Sequence, residues 1–328
     1  PEKPIRDVAV HALFRNHTGS ADFDDFSLRE MAGIEGGAFD SVPLLPANTP
    51  LDRAAEGQVI PLASLAGLCA WDQATGALAD TQGVLRGGLF VRDVAAGGDF
   101  VQLRGAMLRD GGALTMEASD EALGLRMTLR SEPLGGSTMV RGEVTDTTGR
   151  DRALSIYFSL PIDAAGWTWS DDVRSDRAIE DGQTYLNGVL YGVGSTGRAS
   201  RYPLAAIAGP ETGVALAVPL DCPRVCRLAY DAASRELYAA FDMALVPDAV
   251  AMPSRADFRL VVYRFDPAWR FRAALKGYYE LFPDHFRRVA RHEGLWMPFT
   301  DIATVQSPED FVRSEERRVG KECQSVCR

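Results

Sequence analysis

The stretch that decides the fold is Leu123-Gly-Leu-Arg-Met-Thr-Leu-Arg130, near the middle of the chain. Its odd-numbered positions are apolar, and its even-numbered positions are small or polar. A period of two places successive side chains on opposite faces of an extended backbone, as in a β-strand. This stretch therefore predicts a strand with one buried face.

Two more extended segments follow, each after a short turn. The turns are indicated by Pro133-Leu-Gly-Gly136 and Asp146-Thr-Thr-Gly149, because Pro, Gly and Asp favour turn conformations. Residues 138–145 form the first segment. In the second segment an apolar residue occupies every other position. Leu154, Ile156, Phe158 and Leu160 alternate with Ala153, Ser155, Tyr157 and Ser159. The three strands together predict an antiparallel meander with one buried face.

Further strand candidates occur on both sides of this meander and bring the total to at least eleven. They are residues 8–14, 88–91, 100–103, 189–191, 204–207, 214–218, 236–241 and 258–263. Many short strands with frequent turns are typical of sandwiches and barrels. The sequence predicts a mainly β fold, a large antiparallel two-sheet sandwich bigger than an immunoglobulin domain.

One helix and one strand are predicted after the β region. Asp266 is a good N-cap and Pro267 suits the first helical position, so the helix is expected from Asp266 to about residue 286. Its apolar stripe has steps of three and four, at Phe271, Leu275, Tyr278 and Phe282. The strand that follows is Gly294-Leu-Trp-Met-Pro-Phe299.

These patterns predict four regions along the chain. Residues 1–265 form the sandwich, 266–293 the linking helix, 294–313 the start of a (β/α)8 barrel, and 314–328 a tail that is not native. A barrel needs roughly 250 residues, so the barrel is expected to be truncated. The tail, Ser314-Glu-Glu-Arg-Arg-Val-Gly-Lys-Glu-Cys-Gln-Ser-Val-Cys-Arg328, has no apolar period and resembles vector or adaptor read-through; a genuine disordered C-terminus is the alternative.

Composition and charge argue against nucleic acid and membranes as partners of this chain. A net charge of −10 with no clustered basic face argues against nucleic acid. The chain has no run of about 18 uncharged apolar residues and no charged-then-apolar leader, so a soluble protein without membrane span or signal peptide is expected. The compartment stays open, and no cofactor is predicted.

Two sequence motifs are interpreted as marking neither a nucleotide-binding site nor a metal site. Gly192-Val-Gly-Ser-Thr-Gly197 matches a dinucleotide-binding spelling, but a strand rather than a helix is expected next, so we interpret it as a loop. Cys222 and Cys226 are four residues apart on a strand-like segment. Side chains at that spacing lie roughly 13 Å apart, too far to share one zinc ion, so no metal site is predicted.

The segment Gly166-Trp-Thr-Trp-Ser-Asp-Asp172 is the best candidate for binding. Exposed indoles stack on sugar rings, and carboxylates accept hydrogen bonds from sugar hydroxyls. Substrate-binding residues are therefore predicted at Trp167, Trp169, Asp171 and Asp172, with Tyr202 as a weaker candidate. The alternative is that both indoles are buried at a domain interface.

The order of parts resembles the front half of a large bacterial glycoside hydrolase. The segments that carry the resemblance are the many-stranded region, Asp266-Pro-Ala-Trp-Arg-Phe-Arg-Ala-Ala-Leu-Lys-Gly-Tyr-Tyr-Glu-Leu-Phe282, and Leu295-Trp-Met-Pro-Phe299. In such enzymes, as in the endo-α-N-acetylgalactosaminidase and α-galactosidase groups, a galactose-mutarotase-like β-supersandwich precedes the catalytic barrel. The resemblance implies catalytic carboxylates beyond Arg313, and a place for Trp296 and Asp301 at the substrate rim.

Three functions fit these observations. The first is a non-catalytic accessory domain that supports its own barrel and contacts carbohydrate, with no catalytic residue in this chain. The second is a free-standing sandwich that is either carbohydrate-binding or aldose epimerase-like, and the resemblance links epimerase activity to two histidines and a carboxylate on a concave face. The histidines are His11, His17, His285 and His292, all outside the strands of residues 123–263, which argues against it. The third is a purely structural module.

Overall fold

The computed structural model describes residues 44–45, 51–190 and 198–287 of the chain. These residues form twenty β-strands and one α-helix. The strands are Val59–Pro61 (β1), Ala70–Asp72 (β2), Leu78–Ala79 (β3), Leu85–Asp93 (β4), Val101–Gln102 (β5), Leu108–Asp110 (β6), Ala113–Asp120 (β7), Leu125–Leu134 (β8), Ser137–Asp146 (β9), Arg152–Pro161 (β10), Thr168–Ser170 (β11), Asp176–Ala178 (β12), Thr184–Leu186 (β13), Gly188–Leu190 (β14), Arg198–Ser200 (β15), Leu204–Ala208 (β16), Gly213–Ala217 (β17), Cys226–Asp231 (β18), Glu236–Leu245 (β19) and Arg255–Phe265 (β20).

Eighteen of the described strands form two large antiparallel sheets of nine strands each. The first sheet has the order β1-β2-β3-β4-β10-β19-β18-β13, with β5 paired to β4. The second sheet has the order β12-β11-β16-β17-β20-β9-β8-β7-β6. Strands β14 and β15 form a separate two-stranded ribbon. The predicted fold class, mainly β with two large antiparallel sheets, is confirmed.

The hydrophobic core lies between the inner faces of the two sheets. In β8 the predicted alternation is confirmed, because Leu125, Met127 and Leu129 are buried and the residues between them are more exposed. At the centre Phe241 of β19 stacks on Phe258 of β20, with ring centroids 5.2 Å apart. The Phe258 ring lies directly against Gly142 of β9, where no side chain would fit. This close contact explains why a glycine occupies the middle of a core strand.

The three-stranded meander was predicted wrongly at its third strand. Strands β8 and β9 pair along their whole length, from Leu125 with Asp146 to Leu134 with Ser137. Strand β10 instead pairs with β4 and β19 in the first sheet. Both faces of β10 are buried, including the polar positions Ser155 and Ser159. The turn signal at 146–149 therefore marks a crossing between sheets rather than a hairpin.

A buried ion cluster fixes that crossing. The Arg152 guanidinium lies 2.6 Å from Oδ1 of Asp146 and 2.9 Å from Oδ2 of Asp93. It also donates to the carbonyl of Leu123 at 2.8 Å. Burial opposes ionisation of Asp146, but hydrogen bonds from Thr148, Arg152 and two backbone N–H groups outweigh it, so the pKa of Asp146 is lowered. The cluster thus joins β4, the end of β9 and the start of β10.

The helical region begins differently from the prediction. Asp266 accepts a hydrogen bond from the Ala268 N–H at 2.9 Å, as an N-cap should, but it caps only a 3₁₀ turn over Pro267–Trp269. Arg270 then has φ of +46°, outside the right-handed helical region, so the 3₁₀ turn and the α-helix that begins at Arg270 are not one continuous helix. The α-helix proper, α1, spans Arg270–Leu281, and a second 3₁₀ turn covers Pro283–Phe286.

The chain divides into two compact units, Pro1–Ala274 and Leu275–Arg328, and every described strand belongs to the first. The predicted strands at 8–14 and 294–299 and the tail from Ser314 lie outside the described residues. The predicted region boundaries stay predictions. None of the helices in the described part of the chain is long and apolar enough to span a membrane.

We predict that Asp146→Asn lowers the free energy of unfolding at pH 7 by roughly 3–5 kcal/mol, because it leaves the buried Arg152 without one of its two counter-charges. The pKa of Asp146 is lowered in the fold, so its ionisation stabilises the protein above the ordinary value of 3.8 and ceases to do so as pH falls. Urea unfolding at pH 7 and pH 3 should show the difference from wild type narrowing at pH 3.

The matched control is Asp151→Asn, an identical change at an exposed position of the same crossing. It should alter the free energy of unfolding by no more than about 0.5 kcal/mol. Equal losses in the two variants would contradict a special role for the ion cluster.

Candidate functional site

The outer face of the second sheet carries an open groove of about 640 Å³. It crosses strands β6, β7, β8, β9 and β20, and it is lined by charged, hydroxyl and apolar side chains. We call it the charged groove. Its lining residues are Ala106, Leu108, Thr115, Met116, Glu117, Thr128, Leu129, Arg130, Arg141, Gly142, Glu143, Asp257, Phe258 and Arg259.

Strand register arranges the polar lining of the charged groove in two rows. In the first row Glu117 pairs with Thr128, Thr128 with Glu143, and Glu143 with Asp257. Directly paired residues in an antiparallel sheet project from the same face, so these four side chains stand side by side. We call them the acidic row.

The second row lies two residues further along each strand. Here Thr115 pairs with Arg130, Arg130 with Arg141, and Arg141 with Arg259. Because the side-chain period of a strand is two, this row lies on the same face as the acidic row. We call it the arginine row. Three arginines and three carboxylates line the charged groove, so its formal charge balances.

Carboxylates at the rim hold the arginine row in place. Arg130 lies 2.6 Å from Asp110 and 3.0 Å from Glu132, and Arg141 lies 2.7 Å from the other oxygen of Glu132. Arg259 lies 3.2 Å from Asp221. Partial burial opposes ionisation of Glu132, but hydrogen bonds from Arg141 and Arg130 outweigh it and lower its pKa. These ion pairs restrict the guanidinium groups before any ligand arrives.

The acidic row is less fully paired. Asp257 forms an ion pair with Arg224, and Glu143 lies 3.9 Å from Arg255. Glu117 is exposed and makes no ion pair with any residue that the structure describes. Neighbouring carboxylates and guanidiniums offer hydrogen-bond acceptors and donors on one surface, which suits a polar ligand with both kinds of group.

The outer face of the first sheet is also polar, but it is closed. Arg227 is almost fully buried and forms an ion pair with Asp242, whose Oδ1 lies 2.9 Å from the second guanidinium nitrogen. Ser155 donates to the same carboxylate at 2.5 Å. Phe90, Phe100, Tyr157 and Tyr238 pack together on this face, with Leu44 and Leu45 against them. Such a face contributes to packing rather than to binding from solvent.

Glu236, at the start of β19, is the most unusual ionisable group on that closed face. Its side chain is buried, and Ser159 donates to its Oε1 at 2.8 Å. Burial raises the pKa of Glu236 to about 7, against the smaller opposing effects of hydrogen bonds from Ser159 and Ser234. The carboxyl group is therefore largely protonated in the fold below neutral pH.

The predicted indole pair is not an exposed loop. Trp169 lies in strand β11, is fully buried in the core, and donates from Nε1 to Asn187 at 3.1 Å and to Asp171 at 3.2 Å. The prediction of an exposed stacking surface is therefore wrong for Trp169. Trp167 is half-buried, with its indole packed against Gly209. The period of two places Trp167 and Trp169 on the same face of the strand, but it does not show whether that face is turned to the core or to solvent.

The other predicted site residues have local structural partners. Asp171 forms a two-point ion pair with Arg177, at 2.7 and 2.6 Å. Asp172 accepts hydrogen bonds from the backbone N–H groups of Arg174 and Ser175, which lower its pKa. Tyr202 is half-buried, with its ring centroid 5.3 Å from that of Phe271. A sugar-binding role for Trp167, Asp171, Asp172 and Tyr202 stays a prediction.

Several predicted features lie outside the described residues: Trp296, Asp301, His11, His17, His292 and the loop from Gly192 to Gly197. The strands that flank this loop, β14 and β15, pair antiparallel, so a strand rather than a helix follows it, as predicted. Cys222 and Cys226 are free, buried thiols, and burial raises the pKa of Cys226 to about 12. Within the described residues, no three possible ligand side chains come together as a metal site would require.

Sequence reasoning missed the charged groove. Its only local signal is the outward alternation of charge along single strands, as in Arg141-Gly-Glu143 and Asp257-Phe-Arg259. On one strand this pattern is indistinguishable from an ordinary solvated face. The rows appear only when the register between strands distant in sequence is known.

Comparison with known proteins gives structural likeness without sequence likeness. No protein-family model and no curated protein matches the sequence. A GH36 α-galactosidase from Geobacillus stearothermophilus, solved in complex with stachyose, has a TM-score of 0.38 and 13% identity over 59% of this chain and 32% of that one. A galactose mutarotase related enzyme from Lactobacillus acidophilus has a TM-score of 0.32 and 6% identity over 66% of this chain and 98% of that one.

A polysaccharide lyase is also similar, with a TM-score of 0.37 and 11% identity over 71% of this chain and 34% of that one. The chain spans about a third of the length of the α-galactosidase. Glycosidases and mutarotase-related proteins are the groups that the order of parts in the sequence resembles. At these TM-scores the likeness assigns neither an activity nor a ligand to this chain.

We predict that Glu236→Gln raises stability above pH 7 and leaves it nearly unchanged near pH 4.5. The folded protein holds this proton up to about pH 7, whereas the unfolded chain releases it near 4.5, so wild-type stability falls as pH rises between these values. The gain above pH 7 should be on the order of 1–3 kcal/mol. Urea unfolding at pH 4.5, 6 and 8 measures it, with the exposed Glu121→Gln as control. A variant that is less stable than wild type at pH 8 would refute this assignment.

We predict that Trp169→Ala lowers the free energy of unfolding by about 3–5 kcal/mol, because it empties a fully buried indole site. Trp167→Ala should cost less, since that side chain is only half-buried. Trp269→Ala is the matched control: its indole is 64% exposed, and the change should stay within about 0.5 kcal/mol. The order of the three values in urea unfolding is the measurement, and equal losses at Trp169 and Trp269 would contradict it.

Proposed function

We propose that this chain is the non-catalytic accessory sandwich of a carbohydrate-active enzyme of the glycoside hydrolase type, and that it contacts glycan through its second sheet. The observation that carries this proposal is the charged groove, an open groove of about 640 Å³ on the outer face of the second sheet. Its charge balances, and it presents donors and acceptors together, as recognition of many hydroxyl groups requires.

The groove favours binding over turnover. General acid–base catalysis works best with groups whose pKa lies near the working pH. Beside the groove, ion pairing moves pKa values away from neutral pH. It lowers the pKa of Glu132 and raises that of Arg130. Fixed charges of this kind hold and orient a ligand, but they do not exchange protons near neutral pH.

The aldose epimerase-like alternative receives less support. Glu236 is the group with a pKa of about 7, but it lies on the closed face of the first sheet. The sequence has no histidine between residues 18 and 284, so none of the twenty strands supplies the imidazole pair that the epimerase reading calls for. A proton-transfer site open to a sugar ring is not assembled from the described residues.

The accessory role rests on the order of parts in the sequence. A sandwich followed by helix α1 and then by the apolar stretch Gly294-Leu-Trp-Met-Pro-Phe299 is the arrangement in which a barrel would continue the chain. In this reading the sandwich supports its own catalytic barrel and holds part of a longer glycan near it. The predicted rim residues Trp296 and Asp301 would belong to that barrel.

The test is to assay binding and turnover on the same preparation of the full chain. We expect a glycan array to show binding to neutral glycans, with dissociation constants of roughly 0.1–1 mM in follow-up titrations because the groove is open to solvent. Optical rotation of fresh α-glucose and α-galactose should change no faster than in buffer. Nitrophenyl glycosides should release no product. Mutarotation above the buffer rate or sugar release would refute the non-catalytic role, and an array without any bound glycan would refute the glycan contact.

A further inference from the structure

The register of the second sheet defines a ligand class for the charged groove. We propose that the acidic row and the arginine row together bind a neutral oligosaccharide whose chain runs across the strands. This inference rests on the proposed function and goes further, because it names the site, the direction of the ligand and its charge.

The dimensions of the rows match an extended polyhydroxyl chain. Neighbouring strands lie about 4.8 Å apart, so four strands give rows about 14 Å long. The rows are two residues apart along each strand, which is about 7 Å. A ligand lying between them can hydrogen-bond to one row along each edge. A row of this length exceeds a single sugar ring, so an oligosaccharide rather than a monosaccharide fills it.

The donors and acceptors are complementary to hydroxyl groups. An ionised carboxylate only accepts hydrogen bonds, a guanidinium only donates them, and a hydroxyl does both. Hydroxyls on one edge of the ligand can donate to Glu117 and Glu143, and those on the other edge can accept from Arg141 and its neighbours. The terminal nitrogens of Arg141 make no hydrogen bond with any described residue, since its bond to Glu132 uses Nε.

Charge balance excludes strongly charged ligands. An anionic glycan attracted to the arginine row would lie within about 7 Å of Glu117, Glu143 and Asp257. A cationic amino sugar would find little free negative charge, because Asp257 and Glu143 already face Arg224 and Arg255. The arginine row is moreover already neutralised at the rim by Asp110, Glu132 and Asp221. A neutral ligand meets no such repulsion, which favours it over either charged class.

Apolar atoms complete the surface. Leu108 of β6 is 64% exposed and lines one wall of the groove. A sugar ring has C–H groups on its faces and hydroxyls at its edge, so an apolar wall beside the polar rows matches both. The exposed leucine beside the rows is therefore part of the proposed surface.

The experiment is isothermal titration of the full chain with three neutral probes, maltotetraose, mannotetraose and galactotetraose, and with two charged ones, tetragalacturonate and a fully deacetylated chitotetraose. We expect the best neutral probe to bind at least tenfold more tightly than either charged probe. Its affinity should change less than twofold between 50 and 500 mM NaCl, because screening weakens only charge–charge attraction.

Glu117→Gln and Arg141→Ala should each weaken neutral-probe binding at least fivefold while the melting temperature stays within about 2 °C of wild type, since both side chains are exposed. The matched control, Glu211→Gln, is exposed in the turn between β16 and β17 and should leave affinity unchanged.

Unchanged affinity in both row variants would overturn the site, and the proposed function would survive because glycan then binds elsewhere. Preferential binding of tetragalacturonate or the amino-sugar probe would overturn the neutral class alone. A row variant that alters sedimentation of the chain but not sugar affinity would show a self-association face and overturn the proposal. No binding by any probe or array glycan would refute the glycan contact as well as the site.

Discussion

The two-sheet arrangement depends on one buried arginine at the point where the chain changes sheets. Arg152 opens β10 in the first sheet and bonds to Asp146, the last residue of β9 in the second sheet, and to Asp93 at the end of β4. An unpaired charge there would be costly to bury, so the geometry is acceptable only with both carboxylates present. The cluster therefore fixes where the chain leaves the second sheet after β9 and enters the first sheet at β10.

That crossing determines how the two outer faces differ. Once β10 lies between β4 and β19, its polar alternates Ser155 and Ser159 face Asp242 and Glu236, and aromatic rings pack over the same face. The second sheet keeps β7, β8, β9 and β20 side by side with long, charged, outward side chains. The central strands of the first sheet, β10, β18 and β19, are thus almost fully buried, while the outer face of the second sheet carries exposed residues. The proposed glycan contact therefore lies on the second sheet.

The sequence predicts several strands correctly, misses others such as β7 and β18, and predicts the assembly poorly. The alternation of Leu125, Met127 and Leu129 is local, and it correctly identifies β8. Whether the turn at 146–149 closes a hairpin or crosses between sheets depends on the bond between Arg152 and Asp93, which are 59 residues apart, and no local pattern encodes it. The prediction of exposed indoles failed at Trp169 for a similar reason. Its burial depends on how β11 packs against the rest of the core, which the local sequence does not encode. The charged groove requires three registers at once, so its rows lie beyond single-strand reasoning.

The same physics explains why the proposed glycan surface would not destabilise the fold. Arg130, Arg141 and Glu132 are 26–43% exposed, so each ion pair is screened and contributes little to stability. Their value is geometric, because shared carboxylates restrict guanidinium rotation before binding and reduce the entropy lost on binding. The pairs at Arg152 and Arg227 are buried instead, and they hold one path of the chain. The ion pairs that hold the crossing are thus distinct from those of the proposed glycan surface.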